Sequence, residues 1–187
     1  MPEDELEHRI VFNNKKIGKR LSLLEIIFLL IFCSMLIGAT IHISLLKKHR
    51  TAKHILTVSL IWVLAFAGVI GLLKFYVNVF HPHLYSSYLG WPSNFPWQYE
   101  AAIINLSIGI LGLLCIWIHD LFWLATVISM TIRDWGAAIG HYMQLVSHYD
   151  FARGNMGLAV YVEIFHPILA IALLVAYYNV KKFPRDV

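Results

Sequence analysis

Long apolar segments constrain the fold of this chain more than any other feature of its sequence. Five of them follow one another, and each has about the 20 residues that a helix needs to cross ~30 Å of hydrocarbon. A helix satisfies its own backbone hydrogen bonds in lipid, where an open strand cannot. The sequence therefore predicts an all-α integral membrane protein with five transmembrane helices, at about residues 21–46, 55–80, 99–118, 121–145 and 157–180.

Polar tails flank this membrane domain, which occupies residues 21–180. Residues 1–20 form an N-terminal tail that is acidic first and basic later, and residues 181–187 form a basic C-terminal tail. Only 14% of the residues are charged and 59% are hydrophobic, which excludes an ordinary soluble domain. The basic residues cluster between apolar segments, which is typical of a topology signal and not of a nucleic-acid-binding surface. Their numbers on the two sides are nearly equal, so they leave the orientation undecided.

The connections between the apolar segments differ in character. The connection from Phe80 to Gln98 carries three prolines and two tryptophans but no Lys, Arg, Asp or Glu. We expect it to form an aromatic, interfacial cap over one end of the helical bundle. Only His119 and Asp120 separate the third and fourth segments, which predicts a tight antiparallel hairpin.

Ionisable side chains within the apolar segments are the main indication of function. Such groups are rare in membranes and usually face the bundle interior. In the fourth segment, Asp134 and His141 are seven residues apart and share one face of the helix. In the fifth, Asn155, Glu163 and His166 fall along one stripe. Each of these residues is therefore a candidate for a functional site.

Helix direction places the polar residues at one depth. The second helix ends, the third begins, the fourth ends and the fifth begins on the same side of the membrane. The polar residues therefore gather in one half of the bilayer, beneath the aromatic connection, and predict a one-sided polar pocket. Its candidate residues are Lys74, Asn78, Glu100, His141, Gln144, Asn155, Glu163 and His166, with Arg133 and Asp134 at its floor.

Helical geometry also predicts ion pairs. Arg133 and Asp134 are adjacent and point ~100° apart, so each is expected to pair with another helix. Glu163 or Glu100 is the expected partner of Arg133, and Lys74 that of Glu100.

Two further predictions concern packing. Glu25, one turn into the first helix, is expected to reach the interface by snorkelling. The fourth helix carries small residues, Gly136 and Gly140 among them, on a face separate from its polar one. Because small residues let a neighbouring backbone approach, this helix is predicted to be central in the bundle.

A metal site is an alternative interpretation of the polar cluster. Glu163 and His166 match the i, i+3 carboxylate and imidazole pair of di-iron bundles, to which His141 and Glu100 would add ligands. A full di-iron set needs two such pairs, and the sequence has one. Haem ligation by His141 and His166 is a further alternative. We rank a hydrogen-bond network first and expect no metal, with His141, Glu163 and His166 as weak candidates.

Short motifs in the last four helices carry a family resemblance. They are GLLK at 71–74, LGWP at 89–92, YE at 99–100 and GILGL at 109–113. On these residues, the region 55–180 resembles the DoxX-like group of small four-helix membrane proteins. The pattern GAAIGH at 136–141, followed by Gln144, is similar to an uncharacterised bacterial membrane family. The resemblance implies a four-helix antiparallel bundle with the first helix added to it, a bacterial inner membrane, and a link to quinone-coupled oxidases.

Three functions fit the pocket. The first is binding of a lipophilic small molecule or quinone, as in a redox accessory subunit. The second is a small proton-coupled transporter in which Asp134, His141, Glu163 and His166 relay protons, and the third is a structural or assembly partner of a membrane complex. A transport path needs polar lining in both halves of the membrane, which the fourth helix does not offer, so the pocket ranks first. Expected partners are membrane lipids, a lipophilic ligand, a second copy of the chain or a membrane complex. No motif fixes a reaction or a cofactor.

Overall fold

The computed structural model describes residues 22–46 and 51–182, and every regular element within these ranges is a helix. The predicted tail at 1–20 and residues 183–187 of the basic tail lie outside the described residues. In chain order the helices are α1 (Leu23–Leu45), α2 (Ala52–Phe80), α3 (Pro82–Leu89), α4 (Phe95–Leu114), α5 (Leu121–His148), α6 (Arg153–Met156) and α7 (Leu158–Lys182).

Four regions of the helical chain have the length and hydropathy to cross a membrane. They are Leu23–Leu45, Ala52–Phe80, Pro96–Leu114 and Arg153–Lys182. The chain is therefore an all-α, multi-pass membrane protein, which confirms the fold class. α5 is as long as these helices but is the least apolar of them, because it carries charged residues near its middle. Composition alone therefore supports four of the five predicted crossings.

The connections between the helices differ from those predicted. The aromatic connection contains α3, and α4 begins at Phe95 instead of residue 99. Pro82 and Pro96 stand in the first turns of these two helices, where no backbone N–H is needed. α4 ends at Leu114, and residues 115–120 lead into α5. The predicted two-residue hairpin is wrong, because the helix ends at Leu114 although the sequence stays apolar as far as Ile118.

α2 is the central helix of the bundle. It packs against α1, α4 and α7 and also touches α5, and half of its most apolar stretch is buried. The prediction that the fourth long segment, α5, is central is therefore wrong. A Cβ built on Gly136 or Gly140 of α5 would meet nothing within 4 Å in the described part of the chain. The small-residue face of α5 thus points away from the bundle.

Glycines bring α2 and α4 into backbone contact. A Cβ built on Gly112 would lie 2.6 Å from the backbone N of Gly68, and one on Gly71 would lie 2.7 Å from the backbone N of Gly109. These gaps leave no room for a side chain. The two helices therefore approach each other more closely than larger residues would allow, as glycine-rich crossings in membranes do.

The two ends of the bundle have different interiors. At the end near residue 120 the core is apolar, and the fully buried Trp123 donates its indole N–H to the carbonyl of Cys115 at 2.8 Å. We call this end the apolar half. Its other buried core residues are Leu60, Val63, Leu64, Ala67, Ile108, Val127, Met130, Ala170, Leu174 and Tyr177. Most buried polar side chains lie at the opposite end, the α3 half, where α2 ends and α7 begins.

α1 is attached to the bundle by polar contacts, at Glu25 and at His42, and by a small aromatic cluster. The carboxylate of Glu25 accepts a hydrogen bond from Arg153 at 2.8 Å and one from the backbone N–H of Ser22 at 2.8 Å. Phe28 and Phe32 pack edge-on against Phe66 of α2. Glu25 is 6% exposed, so the prediction that it snorkels to the interface is wrong. A charged partner on α6 makes burial more favourable than exposure.

Replacing Glu25 with alanine should loosen α1. The change removes a helix cap and a half-buried ion pair, which together stabilise the chain by about 2 kcal/mol. We expect the free energy of unfolding, measured by SDS titration in mixed micelles, to fall by this amount. Ser34→Ala on the same helix is the control, because the Ser34 hydroxyl bonds only its own helix, at the carbonyl of Ile31. Equal stability of the two variants would show that Glu25 does not hold α1.

Candidate functional site

α5 and α7 lie antiparallel along their whole length and position most of the site. Tyr177 of α7 donates to Asp120 at the start of α5 at 3.1 Å, and Trp135 donates to the carbonyl of Ile164 at 3.3 Å. The second contact lies beside Pro167, whose ring removes a backbone hydrogen bond from this turn of α7. The carbonyl that loses its helical donor is that of Glu163, and the indole of α5 bonds the neighbouring carbonyl of Ile164.

An ion pair between α2 and α7 forms the centre of the site. Lys74 Nζ lies 2.5 Å from Glu163 Oε1, and the two side chains are 17% and 7% exposed. The predicted pairing of Lys74 with Glu100 is therefore wrong. Glu163 faces α2 because it lies on the buried stripe of α7 that also carries His166 and Ala170.

His141 of α5 adds a second contact to Glu163. Its Nε2 lies 3.5 Å from Glu163 Oε2. Lys74 contacts the other carboxylate oxygen, Oε1. Its Nδ1 lies 2.9 Å from Asn155 Oδ1. The Asn155 amide in turn donates to the carbonyl of Asp150 at 2.8 Å. Lys74, Glu163, His141 and Asn155 thus form one continuous polar network; all four are among the predicted pocket residues, but their pairing was not predicted.

Arg133 and Asp134 pair with each other, contrary to prediction. Arg133 Nη2 lies 2.9 Å from Asp134 Oδ1, and both side chains are buried. The prediction failed because it used the directions of the Cα–Cβ bonds, whereas the long arginine side chain curls back along the helix. Arg133 Nε remains buried and without a hydrogen bond among the described residues.

His166 turns away from the carboxylates. Its Nε2 lies 3.1 Å from the backbone carbonyl of Val63, and its ring packs against Phe66. His141, Glu163 and His166 therefore do not converge on one point. Within the described residues, no group of three or more His, Cys, Asp or Glu side chains is arranged to hold a metal ion.

Two adjoining clefts open beside the ion pair. The outer cleft lies between α1, α2, α3 and α7, has mainly apolar walls, and includes Glu25, Tyr85 and Tyr88 at its rim. The inner cleft continues to Arg133, Asp134, Glu163 and His166. Their volumes are about 500 Å³ and 370 Å³, including space that is open at the mouth. Both clefts are lined by Phe28, Ile70, Lys74 and Ala159.

The aromatic connection covers the network. The rings of Trp91 and His141 have centroids 5.3 Å apart, and Trp97 packs against Trp91. The fully buried Gln98 holds this cover in place, because its amide donates to the carbonyl of Pro82 at 2.8 Å. Gly90 reverses the chain with φ 77°, a left-handed conformation that favours glycine.

The clefts also include residues that the sequence did not single out. Tyr88 lies at the rim, and its burial raises its pKa. Burial likewise raises the pKa of Asp150, which lies beside Asn155. Glu25 had a signal in the sequence, since Ser22-x-x-Glu25 is a capping box that marks the start of a helix. Tyr88 had none.

Three predicted residues stand apart from the network. Glu100 is exposed on α4, and Gln144 is half-buried, with its backbone carbonyl accepting from Tyr149 and Asp150. Asn78 is fully buried but donates to the carbonyl of Lys74 in its own helix, at 2.8 Å. None of the three lines either cleft.

Comparison with known proteins gives one match. The model of a family of unknown function, DUF6790, matches residues 25–183. No curated protein and no solved structure matches the chain. The prediction of an uncharacterised family is therefore confirmed.

Proposed function

Since the chain belongs to this family of unknown function, we propose from its geometry that it binds a lipophilic small molecule in the two clefts. The observation that carries the proposal is their shape: apolar walls lead from the rim at α1 and α3 to one charged end at Lys74 and Glu163. Ligand sites commonly combine apolar walls with a few polar groups that orient the ligand.

The head of this molecule is a hydrogen-bond acceptor. Arg133 Nε is a buried donor without a hydrogen bond among the described residues, and it belongs to the inner cleft. The Lys74 ammonium has three N–H donors and uses one on Glu163. Quinone carbonyl oxygens fit these donors, and the DoxX-like resemblance supports the same ligand class. A role as the quinone-binding accessory subunit of a redox complex follows.

We place this site within five transmembrane helices, with α1 added to a bundle of α2, α4, α5 and α7. The contacts of α5 with α7 support the fifth crossing, since His141 and Trp135 meet the first two turns of α7 and Asp120 meets Tyr177 near its end. A helix that packs along the full length of a membrane-spanning neighbour crosses the same thickness of membrane. The pairing of Arg133 with Asp134 lowers the cost of burying both charges.

A path through the protein fits the structure less well than a one-sided site. Below the ion pairs, the apolar half contains the buried side chains of Leu64, Val127, Met130 and Leu174. A proton-coupled transporter needs polar groups or water at that depth. The polar network reaches only one side.

Binding of a short-chain ubiquinone analogue tests the proposal. The protein would be purified into lipid nanodiscs, and binding would be followed by quenching of tryptophan fluorescence. Ala159→Leu should weaken binding about tenfold or more, because Ala159 lines both clefts and a larger side chain fills the passage between them. Ala125→Leu, on an exposed face of α5, is the matched control and should bind as the parent does. Absence of binding to the parent, or equal affinity of both variants, would contradict the proposal.

A further inference from the structure

Asn155 determines which nitrogen of His141 carries a proton. The Asn155 amide nitrogen donates to the carbonyl of Asp150 at 2.8 Å, so its oxygen faces His141. An amide oxygen only accepts hydrogen bonds, and His141 Nδ1 lies 2.9 Å from it. Nδ1 is therefore the protonated nitrogen. In a neutral ring, Nε2 would then carry a lone pair.

That lone pair would face another acceptor. Glu163 Oε2 lies 3.5 Å from His141 Nε2, and both side chains are 7% exposed. Oε2 has no hydrogen bond among the described residues. Two buried acceptors at this separation repel each other unless a proton lies between them, and the gap is too short to admit a water molecule.

We propose that His141 and Glu163 share one exchangeable proton between Nε2 and Oε2, and that they exchange it with the aqueous phase on the side of α3. In one form His141 is an imidazolium beside a carboxylate, and in the other a neutral imidazole lies beside a carboxylic acid. The transfer moves a single proton and leaves the summed charge of the two groups unchanged.

The surrounding charges place this proton on His141. Lys74 contacts the other oxygen of Glu163 at 2.5 Å and stabilises the carboxylate. The ring centroids of Trp91 and His141 are 5.3 Å apart, within the range at which an aromatic ring attracts a cation. Asp150, from the connection to α6, interacts electrostatically with both His141 and His148. The imidazolium form is therefore the resting form.

Exchange takes place on one side because the network continues only towards α3. Asp150 is half-buried in the connection after α5, and burial raises its pKa. In the opposite direction His166 is turned to the carbonyl of Val63, and the apolar core begins. The proton site thus connects the cleft to one aqueous phase.

This inference deepens the proposed function, because it places a proton donor at the charged end of the cleft. Its effect on a cleft ligand rests on the proposed function, whereas the proton site itself does not. The ligand class that fits is a lipophilic molecule whose head group gains or loses a proton, such as a quinone and its quinol. Binding of the ubiquinone analogue should then depend on pH.

Nitrogen NMR of histidine-labelled protein in nanodiscs tests the proton site without any ligand. The signals of His141 are identified by their loss in His141→Gln. At neutral pH we expect both of its ring nitrogens to be protonated in the parent. In Glu163→Gln the ratio of doubly to singly protonated His141 should fall about tenfold or more, because the attracting charge is gone. In Lys74→Met it should stay the same or rise, because the carboxylate loses its other partner.

A fall of the ratio in Glu163→Gln without a fall in Lys74→Met distinguishes a shared proton from a merely structural contact. A neutral His141 that carries its proton on Nε2 would overturn the inference, and so would an unchanged ratio in Glu163→Gln. If a variant does not fold, the spectrum of the parent alone still shows which ring nitrogens of His141 carry a proton. If the protein shows the expected spectra but binds no quinone, the proton site is supported and the proposed function is contradicted.

Discussion

Leucine in place of Gly112 is expected to separate α2 from α4 and to destabilise the protein by about 3 kcal/mol or more. A Cβ at this position would lie 2.6 Å from the backbone of Gly68, and backbone atoms cannot rotate away as side chains do. Relief requires the helices to move apart, which removes contacts along the closest packed pair in the bundle. The free energy of unfolding from SDS titration in mixed micelles measures the effect.

Gly136→Leu is the matched control for this substitution. Gly136 also lies within a long helix, but a Cβ there would meet nothing within 4 Å in the described residues. We expect its stability to stay within about 0.5 kcal/mol of the parent. A large loss in Gly136→Leu would show that the open face of α5 is covered, whereas a small loss in Gly112→Leu would contradict the close crossing of α2 and α4.

Lys74→Met is expected to lower stability by about 3 kcal/mol, because it leaves the buried carboxylate of Glu163 without its closest partner. The loss lies at the low end for a broken buried ion pair, since His141 remains beside the other carboxylate oxygen. The double variant Lys74→Met/Glu163→Gln should recover most of the loss, because no unpaired charge remains. Unfolding by SDS titration of the three proteins gives both values.

Lys181→Met provides a control with the same chemistry at the surface. Lys181 lies 2.6 Å from Asp120, and the two side chains are 43% and 48% exposed. The hydrogen bond from Lys181 lowers the pKa of Asp120, but water replaces this contact readily. We expect a much smaller change than for Lys74→Met. If the two lysine substitutions had equal effects, burial would not be what makes the Lys74 pair important.

The placement of the polar residues in one half could be predicted, because it follows from helix direction and spacing alone. Lys74, His141, Asn155 and Glu163 lie on four different helices at similar depth, and the structure joins them in one network. The existence of long apolar helices was equally accessible, since hydropathy reports it directly.

The choice of partners and the central helix could not be predicted in this way. Spacing gives the face on which a side chain lies, but it does not say which neighbouring helix covers that face. The small-residue face of α5 and the glycine face of α2 look alike in sequence, yet only Gly68 and Gly71 meet a second helix. The bond of Arg133 to its own neighbour depended on a side-chain conformation that helical geometry leaves open.

The contrast between the two ends of the bundle determines the side from which a ligand can enter and leave the clefts. The clefts lie in the α3 half, and the apolar half contains a core that includes the fully buried Leu60, Trp123 and Met130. A molecule held at Lys74 would therefore arrive from one leaflet and return to the same leaflet. Its occupancy would follow the lipid and quinone content of that monolayer, independently of the composition of the other.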